Sequence, residues 1–272
     1  MPINIASLIK PASVISEHLK ICIYGDYSCG KTTLAVGAPR PLLVDTERGS
    51  TVLVKNDSLK NTPTIRIRTL PEFVELFDFL KSSAGNAYDT LIIDTLSELQ
   101  KQFLDSIISD SAQSNKNMDQ FTIPDNGYNR NNQFLRYFLA NLLELPKHVI
   151  LTCHADTKAV NGIDRRMPLL TPKVLEGVMG LMDVVGYMSI SEMADPDSPK
   201  PGAKKKIRKI QTLQTLAIEA KNRLDVPDVM ENPSIQIFLD AHNKRIEQAK
   251  QPQTAPQLTA TATEPTSKGL RV

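Results

Sequence analysis

Short apolar runs alternate along this chain with stretches in which apolar residues recur every three or four positions. Runs bounded by turn residues are typical of buried strands, and helical spacing between them is typical of crossover helices. The sequence therefore predicts an α/β fold with a mainly parallel sheet flanked by helices. The predicted core strands fall at 20–24, 41–44, 65–68, 90–93 and 149–153.

Helical periodicity is present in most of the segments between these strands. The stretch 109–126 loses this periodicity and is rich in Ser, Asn and Asp, so it predicts a long loop. The predicted helices fall at 31–36, 71–82, 96–108, 132–145, 172–182 and 234–250.

The part of the chain after residue 157 predicts antiparallel additions to the sheet. Residues 158–170 are compatible with a loop or a hairpin, and 184–190 and 207–216 predict two strands joined by Pro-rich and Lys-rich sequence. This C-terminal β-hairpin region would close the far edge of the sheet. The tail at 251–272 is rich in Gln, Thr, Ala and Pro, and we expect it to be disordered.

The bulk composition fits one domain of this class. At 272 residues with 41% hydrophobic residues, the chain can bury a large core. We divide it into a lead-in over 1–18, one α/β domain over 19–250 and the tail. The net charge of +2 is nearly balanced, so any contact with nucleic acid must come from local clusters.

Three cysteines are too few and too scattered for a disulfide framework, which favours a reducing compartment. The N-terminus lacks the basic patch and apolar stretch of a signal peptide, and no apolar run approaches membrane-spanning length. We therefore expect a cytoplasmic protein with no membrane partner.

A glycine-rich segment lies between the first predicted strand and the first predicted helix. Glycines let the backbone wrap around phosphates, and the amides at the start of the following helix point at them. Lys31 would reach the terminal phosphates and the Thr32 hydroxyl would bind magnesium. The spacing predicts a P-loop for ATP and Mg²⁺ rather than a plain glycine turn, formed by Gly25, Asp26, Tyr27, Ser28, Cys29, Gly30, Lys31, Thr32 and Thr33.

Carboxylates follow two other predicted strands. Asp94 ends an apolar strand and is our candidate for the second Mg²⁺ ligand, although it could also cap the helix that follows. Glu47 lies just beyond the second strand, where it could orient the attacking water, because parallel strands gather their carboxyl ends at one edge. Asp45 is a nearby competitor, and Glu47 could instead be a solvated turn residue beside Arg48.

The phosphate loop together with segments 43–47, 90–94, 149–154 and 220–223 resembles the core of RecA-type ATPases. Order and spacing are most similar to the AAA-type phage nucleotide-binding proteins of that superfamily, which include single-strand annealing recombinases. The resemblance covers residues 15–230 and implies a RecA-like ATPase core within 19–250. It further implies action on single-stranded DNA in phage recombination or replication, in the host cytoplasm. The implied partners are further copies of the chain, in a ring or filament, and a single-strand-binding protein.

The resemblance also implies roles for individual residues. Glu47 matches the glutamate that polarises the attacking water. His154 stands at the position of a polar sensor for the terminal phosphate, where relatives usually have glutamine, and a buried structural histidine is the alternative. Lys221 and Arg223 resemble a pair that reaches a neighbouring subunit's nucleotide from one face of a late strand, although such pairs are also common on solvated edges.

Positive charge concentrates in two clusters that could follow a DNA backbone. The first cluster is Lys200, Lys204, Lys205, Lys206, Arg208 and Lys209, and the second is Lys158, Arg165 and Arg166. The alternative for the first cluster is a solvated hairpin tip.

The resemblance implies DNA-binding loops at about 155–168 and 110–130. Phe121 and Tyr128 in the second of these loops could stack on bases or could pack beneath the loop.

Two rival functions stay open. One is an annealing scaffold with little turnover, and the other is a motor or assembly factor without nucleic acid.

Overall fold

A computed structural model describes residues 17–56, 59–115, 118–119, 121–196, 198–200 and 202–250. The predicted lead-in, apart from its last two residues, and the predicted disordered tail lie outside these residues. No helix in the described ranges is long and apolar enough to cross a membrane.

The centre of the fold is a mixed β-sheet in which the core strands are parallel. The strands are β1 (Lys20–Gly25), β2 (Pro41–Asp45), β3 (Thr64–Ile65), β4 (Thr90–Asp94), β5 (His148–Val160), β6 (Ile163–Pro168), β7 (Val184–Ala194), β8 (Lys204–Gln211), β9 (Lys221–Asn222) and β10 (Val229–Glu231). Their order in the sheet is β10-β8-β7-β1-β5-β4-β2-β3, with β6 paired to β5 and β9 paired to β7. The pairings of β8 with β7, β9 with β7 and β10 with β8 are antiparallel.

Helices cover both faces of this sheet, which confirms the predicted fold class. Side chains alternate along β1, so that Cys22 and Tyr24 join one apolar cluster and Ile21 and Ile23 join the other. The helices are α1 (Lys31–Ala35), α2 (Leu70–Lys81), α3 (Leu96–Ser114), α4 (Gly127–Leu143), α5 (Pro172–Leu181) and α6 (Ile235–Lys250), with 3₁₀ turns at Gly49–Lys55 and Ala84–Ala87.

The predicted loop over 109–126 is wrong at its start. Helix α3 continues to Ser114, and within its last turns the hydroxyls of Ser111 and Ser114 donate to the carbonyls of Ile107 and Asp110, each at 2.8 Å. A polar, exposed last turn of a helix has no apolar periodicity to detect. Helix α4 likewise begins at Gly127, five positions before the predicted start, with a polar first turn.

Strand β5 lies between β1 and β4, and this order gathers the chemistry of the sheet at one edge. Gly25 lies opposite His154, and Asp45 lies opposite Asp94. Beyond this edge β5 continues into an antiparallel hairpin with β6, which confirms the hairpin alternative for 158–170. The predicted β7–β8 hairpin is also confirmed, with β10 added outside it.

Candidate nucleotide-binding and catalytic site

The glycine-rich loop passes between neighbouring elements with no room for a side chain at two positions. A Cβ built on Gly25 would clash with the carbonyl oxygen of Met188 on β7. Gly30 has a φ of 102°, and a Cβ there would lie 2.8 Å from Nε of Arg208. Both positions therefore require glycine, one for close approach and one for its backbone conformation.

Lys31 and Thr32 begin α1 directly after this loop. The Lys31 ammonium donates to the carbonyl oxygens of Gly25 at 3.0 Å and Asp26 at 2.8 Å. These hydrogen bonds fix the ammonium group against the first residues of the loop. The Thr32 hydroxyl donates to Oδ2 of Asp94 at 2.7 Å. The loop lysine and the two predicted Mg²⁺ ligands are thus brought together.

Asp94 is buried at the end of β4, and its two oxygens have different partners. Oδ2 accepts from Thr32, and Oδ1 accepts from the hydroxyl of Thr152 on β5. Burial raises the pKa of Asp94, against the opposing effect of these hydrogen bonds and of nearby Lys31. A carboxylate and a hydroxyl are hard oxygen donors, and Mg²⁺ bound with a nucleotide commonly takes only one or two protein ligands. The donor set fits magnesium.

Glu47 lies at the same edge of the sheet and its carboxylate is held by two neighbours. Oε1 accepts a hydrogen bond from the Thr95 hydroxyl at 2.5 Å and is hydrogen-bonded to Nε2 of His154. Partial burial on its own would raise the pKa of Glu47, but these two hydrogen bonds, together with the charges of His154 and Lys31, outweigh it and hold the pKa below its usual value. Glu47 is therefore a fixed carboxylate at neutral pH, as an acceptor of a proton from water must be.

Asp45, the competing carboxylate, is used differently. It is buried, and its oxygens accept from the backbone amides of Gly49 at 3.0 Å and Ser50 at 3.1 Å. These contacts fix the 3₁₀ turn that follows β2. Of the two carboxylates, only Glu47 faces the cleft described below.

His154 is 5% exposed and faces the carboxylate of Glu47. Its backbone amide donates to the Ser97 hydroxyl at 3.1 Å, and its ring packs against Tyr27 with centroids 4.3 Å apart. Because Nε2 meets a carboxylate, that nitrogen carries the proton. The resemblance implies a phosphate sensor at His154; in the structure its ring lies against the candidate base and also lines the cleft described below.

These side chains surround one cleft of about 290 Å³ at the carboxyl edge of the sheet. Three of its functional contacts were missed by sequence reasoning: Thr95, Thr152 and Arg208. Thr95 and Thr152 sit on or next to core strands with no motif to mark them, and Arg208 was assigned to a DNA-binding cluster. The cleft is lined by Tyr27, Ser28, Gly30, Lys31, Thr32, Thr33, Glu47, Gly49, Asp94, Thr95, His154 and Arg208.

Lys221 and Arg223 are not among the residues that line this cleft. Lys221 pairs with Val185, at the level of Cys22 in the middle of β1, and its ammonium donates to the carbonyls of Met179 and Gly180 at the end of α5. Strand β9 ends at Asn222, so the prediction that alternation on one strand aligns Lys221 with Arg223 is wrong. The strand is cut short because the Asn222 side chain bonds to Val226 and turns the chain.

The basic residues of the β5–β6 hairpin each have an acidic partner. Arg165 pairs with Glu219 at 3.1 Å, Lys158 with Asp156 at 3.7 Å, and Arg166 with Asp26 of the phosphate loop at 3.5 Å. The last pair joins the hairpin directly to the loop.

Phe121, between α3 and α4, and Tyr128, in the first turn of α4, both have exposed side chains. Phe121 is 80% exposed and Tyr128 is 55% exposed, so the alternative that they pack beneath the loop is wrong.

Comparison with known proteins agrees with this geometry. The family described as an AAA domain matches residues 17–224, a range that contains the phosphate loop, Glu47, Asp94 and His154. No curated protein matches the chain at a significant level. A match over most of the chain, with the loop, the buried aspartate and the parallel sheet in place, assigns the protein to that family: it is an AAA-type P-loop ATPase.

Proposed function

We propose that this chain hydrolyses ATP with Mg²⁺, using Glu47 to activate water. The observation that carries the proposal is that the Glu47 carboxylate is held in the same cleft as Lys31 and Asp94. A fixed base, a cation for the terminal phosphates and an oxygen pair for the metal are the parts that phosphoryl transfer to water requires.

Each side chain has one task in this reaction. The loop amides and Lys31 bind the β- and γ-phosphates, while Thr32 and Asp94 hold Mg²⁺, which neutralises developing charge on the phosphate oxygens. Glu47 takes a proton from the attacking water. The water oxygen bonds to the γ-phosphorus as the bond from that phosphorus to the bridging oxygen breaks, leaving ADP and phosphate. Thr95 and His154 fix the direction of the Glu47 carboxylate.

The finer part of the proposal is that this ATPase acts on single-stranded DNA, as a ring or filament of identical chains, in phage recombination or replication. Its support is the continuity of β5, which leads from His154 out of the sheet into the β5–β6 hairpin. A change at the phosphates can therefore reach Lys158, Arg165 and Arg166 through one hairpin, and DNA phosphates would have to replace the acidic partners of these residues. The exposed Phe121 and Tyr128 offer faces on which bases could stack.

The test is steady-state ATP hydrolysis by the purified protein with and without single-stranded DNA, at low and moderate salt, with Lys31→Ala as the control for contaminating ATPase. Stimulation by DNA that weakens as salt rises is the expected result. Turnover that ignores DNA would retain the ATPase and reject the DNA role. DNA binding without turnover in any condition would favour the annealing scaffold.

A second experiment locates the DNA surface. Phe121→Ala and Tyr128→Ala should each weaken binding of a labelled oligonucleotide by about 1 to 3 kcal/mol if bases stack on them. Tyr137→Ala is a matched control, because Tyr137 is an equally exposed aromatic residue on α4. Equal losses in all three variants would reject a stacking site in this region.

A further inference from the structure

We infer that Arg208 is a phosphate-binding residue of the nucleotide site, acting on the nucleotide bound by its own chain. The inference rests on the proposed nucleotide function and extends it. Arg208 lies on β8, remote in sequence from the phosphate loop, and belongs to the basic cluster for which the sequence left DNA contact and a solvated hairpin tip open.

The position of the side chain is the first support. Arg208 lines the same cleft as Lys31 and Glu47. The position that a Cβ on Gly30 would take is 2.8 Å from its Nε and 3.1 Å from its Cζ, so the guanidinium lies directly against the loop. Gly30 is the residue directly before Lys31 and Thr32, with which α1 begins.

The backbone of Arg208 is fixed in a way that supports this placement. Its amide donates to Oδ1 of Asn232 at 3.3 Å, and its carbonyl accepts from the Asn232 amide at 2.7 Å. On its other side it pairs in register with Ile190 of β7. The base of the β7–β8 hairpin is thus held between two neighbours while the side chain faces the loop.

The charge of Arg208 is not neutralised by an acidic side chain within the described ranges. Three lysines on β8 do have such partners: Lys204 with Glu192 at 3.4 Å, Lys205 with Asp195 at 3.9 Å, and Lys209 with Glu231 at 2.9 Å. Lys206 resembles Arg208 in having no ion pair within these ranges, so charge alone does not distinguish the two and the position beside Gly30 does.

A guanidinium suits phosphate better than a point charge does. Its planar donors match two phosphate oxygens at once, and such charge-assisted hydrogen bonds are stronger than neutral ones. Lys31 begins α1 directly after the loop and Arg208 lies on β8, so the two cations would bind the phosphates from different elements. Lys206, two residues earlier on the same face of β8, lies further from the loop and supplies an internal comparison.

The experiment measures equilibrium binding of a fluorescent ATP analogue without DNA, to wild type and to Arg208→Ala, Arg208→Lys and Lys206→Ala. We expect Arg208→Ala to bind about 10- to 100-fold more weakly, the range for losing a hydrogen bond to a charged group. Arg208→Lys should recover part of the loss, and Lys206→Ala should bind within about twofold of wild type. Fluorescent ADP and AMP analogues then identify the phosphate concerned.

The possible outcomes distinguish failure of the Arg208 role from failure of the proposed ATPase function. Failure of the wild type to bind would overturn the proposed function and this inference together. Binding by the wild type with Arg208→Ala unchanged, while Lys31→Ala is defective, would overturn the role of Arg208 alone. Because Arg208 is exposed, we expect Arg208→Ala to keep the fold. The melting temperature of each protein without nucleotide tests this expectation. If Arg208→Ala melts at a lower temperature than the wild type, Arg208→Gln replaces it in the same comparison.

The choice between the chain's own site and a neighbour's is tested by mixing. Arg208→Ala and Lys31→Ala each damage the same site if Arg208 acts within its own chain, so mixtures should show no more turnover than the sum of the two parts. Turnover that rises above this sum would place Arg208 in a neighbouring subunit's site and overturn the inference as stated.

Discussion

Nε2 of His154 is hydrogen-bonded to Oε1 of Glu47, although 106 residues separate the two in the chain. His154 ends the part of β5 that pairs with β1, and Glu47 follows β2. The contact therefore spans β4, which lies between β5 and β2. It joins the candidate base to the strand that leads out to the β5–β6 hairpin.

Replacing Glu47 by Gln should leave nucleotide binding near wild type and reduce turnover by about 10²- to 10⁴-fold, the range for losing a general base. The amide still accepts from Thr95 but takes no proton. Binding of a fluorescent ATP analogue and steady-state hydrolysis measure the two effects.

The matched control is Glu98→Gln, because Glu98 is a neighbouring carboxylate that pairs with Lys101 outside the main cleft. It should hydrolyse ATP normally. If Glu47→Gln hydrolyses ATP at the wild-type rate, another group activates the water.

Substitutions of His154 should separate positioning from catalysis. Gln can still donate to Glu47, so His154→Gln should keep much of the turnover, whereas His154→Leu leaves one carboxylate oxygen without this donor and should lower kcat by about 10-fold or more. The measurement is kcat and KM for both variants, with and without single-stranded DNA. A large change in KM with kcat unchanged would show instead that His154 contributes to binding.

Lys221→Ala should destabilise the fold by about 1 kcal/mol, because two carbonyls at the end of α5 lose a charged donor. Arg223→Ala should have little effect on stability, since that side chain is exposed. Urea denaturation measures both.

The Arg223→Ala variant also tests the role that the resemblance suggests for Arg223. Arg223→Ala mixed with Lys31→Ala should regain turnover at mixed interfaces if Arg223 reaches a neighbour's nucleotide. No recovery at any mixing ratio would remove Arg223 from catalysis.

Acid should weaken the fold partly through His148. Its Nδ1 accepts from the Leu19 amide at 2.9 Å, and burial, followed by the nearby His18, His242 and Lys20, lowers its pKa from 6.5 to about 4. Between these two values the unfolded chain binds more protons at this site than the folded one. The stabilisation is therefore complete above pH 6.5 and is lost as pH falls toward 4.

The measurement is urea denaturation of wild type and His148→Gln at about pH 7 and about pH 5. Gln keeps an acceptor for Leu19 but does not titrate in this range. The variant should lose less unfolding free energy on acidification than the wild type. An identical loss in both proteins would show that His148 does not contribute.

Sequence patterns were sufficient for the positions of the core strands β1, β2, β4 and β5 and of the glycine-rich loop between β1 and α1, whereas the strand predicted at 65–68 is only Thr64–Ile65. Buried parallel strands such as β1 and β4 have continuous apolar runs, and the loop has residue types that few other structures require at that spacing. Helix ends were less predictable. The last turn of α3 and the first turn of α4 are polar and exposed, so apolar periodicity carries no information about them.

The pairings within the site were beyond the sequence for a different reason. Arg208 meets Gly30 and His154 meets Glu47 only because of the order of strands in the sheet. Nothing local to Arg208 distinguishes it from the lysines around it, and a composition-based reading groups all of them as one basic surface. Arg208 differs from Lys204 and Lys206, which share its face of β8, in lying closer along the strand to the phosphate loop.

Strand β5 is continuous over 13 residues, but its two halves have different support. Up to His154 it is flanked by β1 on one side and, at its start, by β4 on the other, whereas from Ala155 to Val160 its pairing within the described ranges is to β6. Backbone amides in the first half should therefore exchange with solvent hydrogen far more slowly than those in the second half. The step in amide protection would fall at His154, so the point where the strand passes from stiff to compliant coincides with its contact to the carboxylate of Glu47.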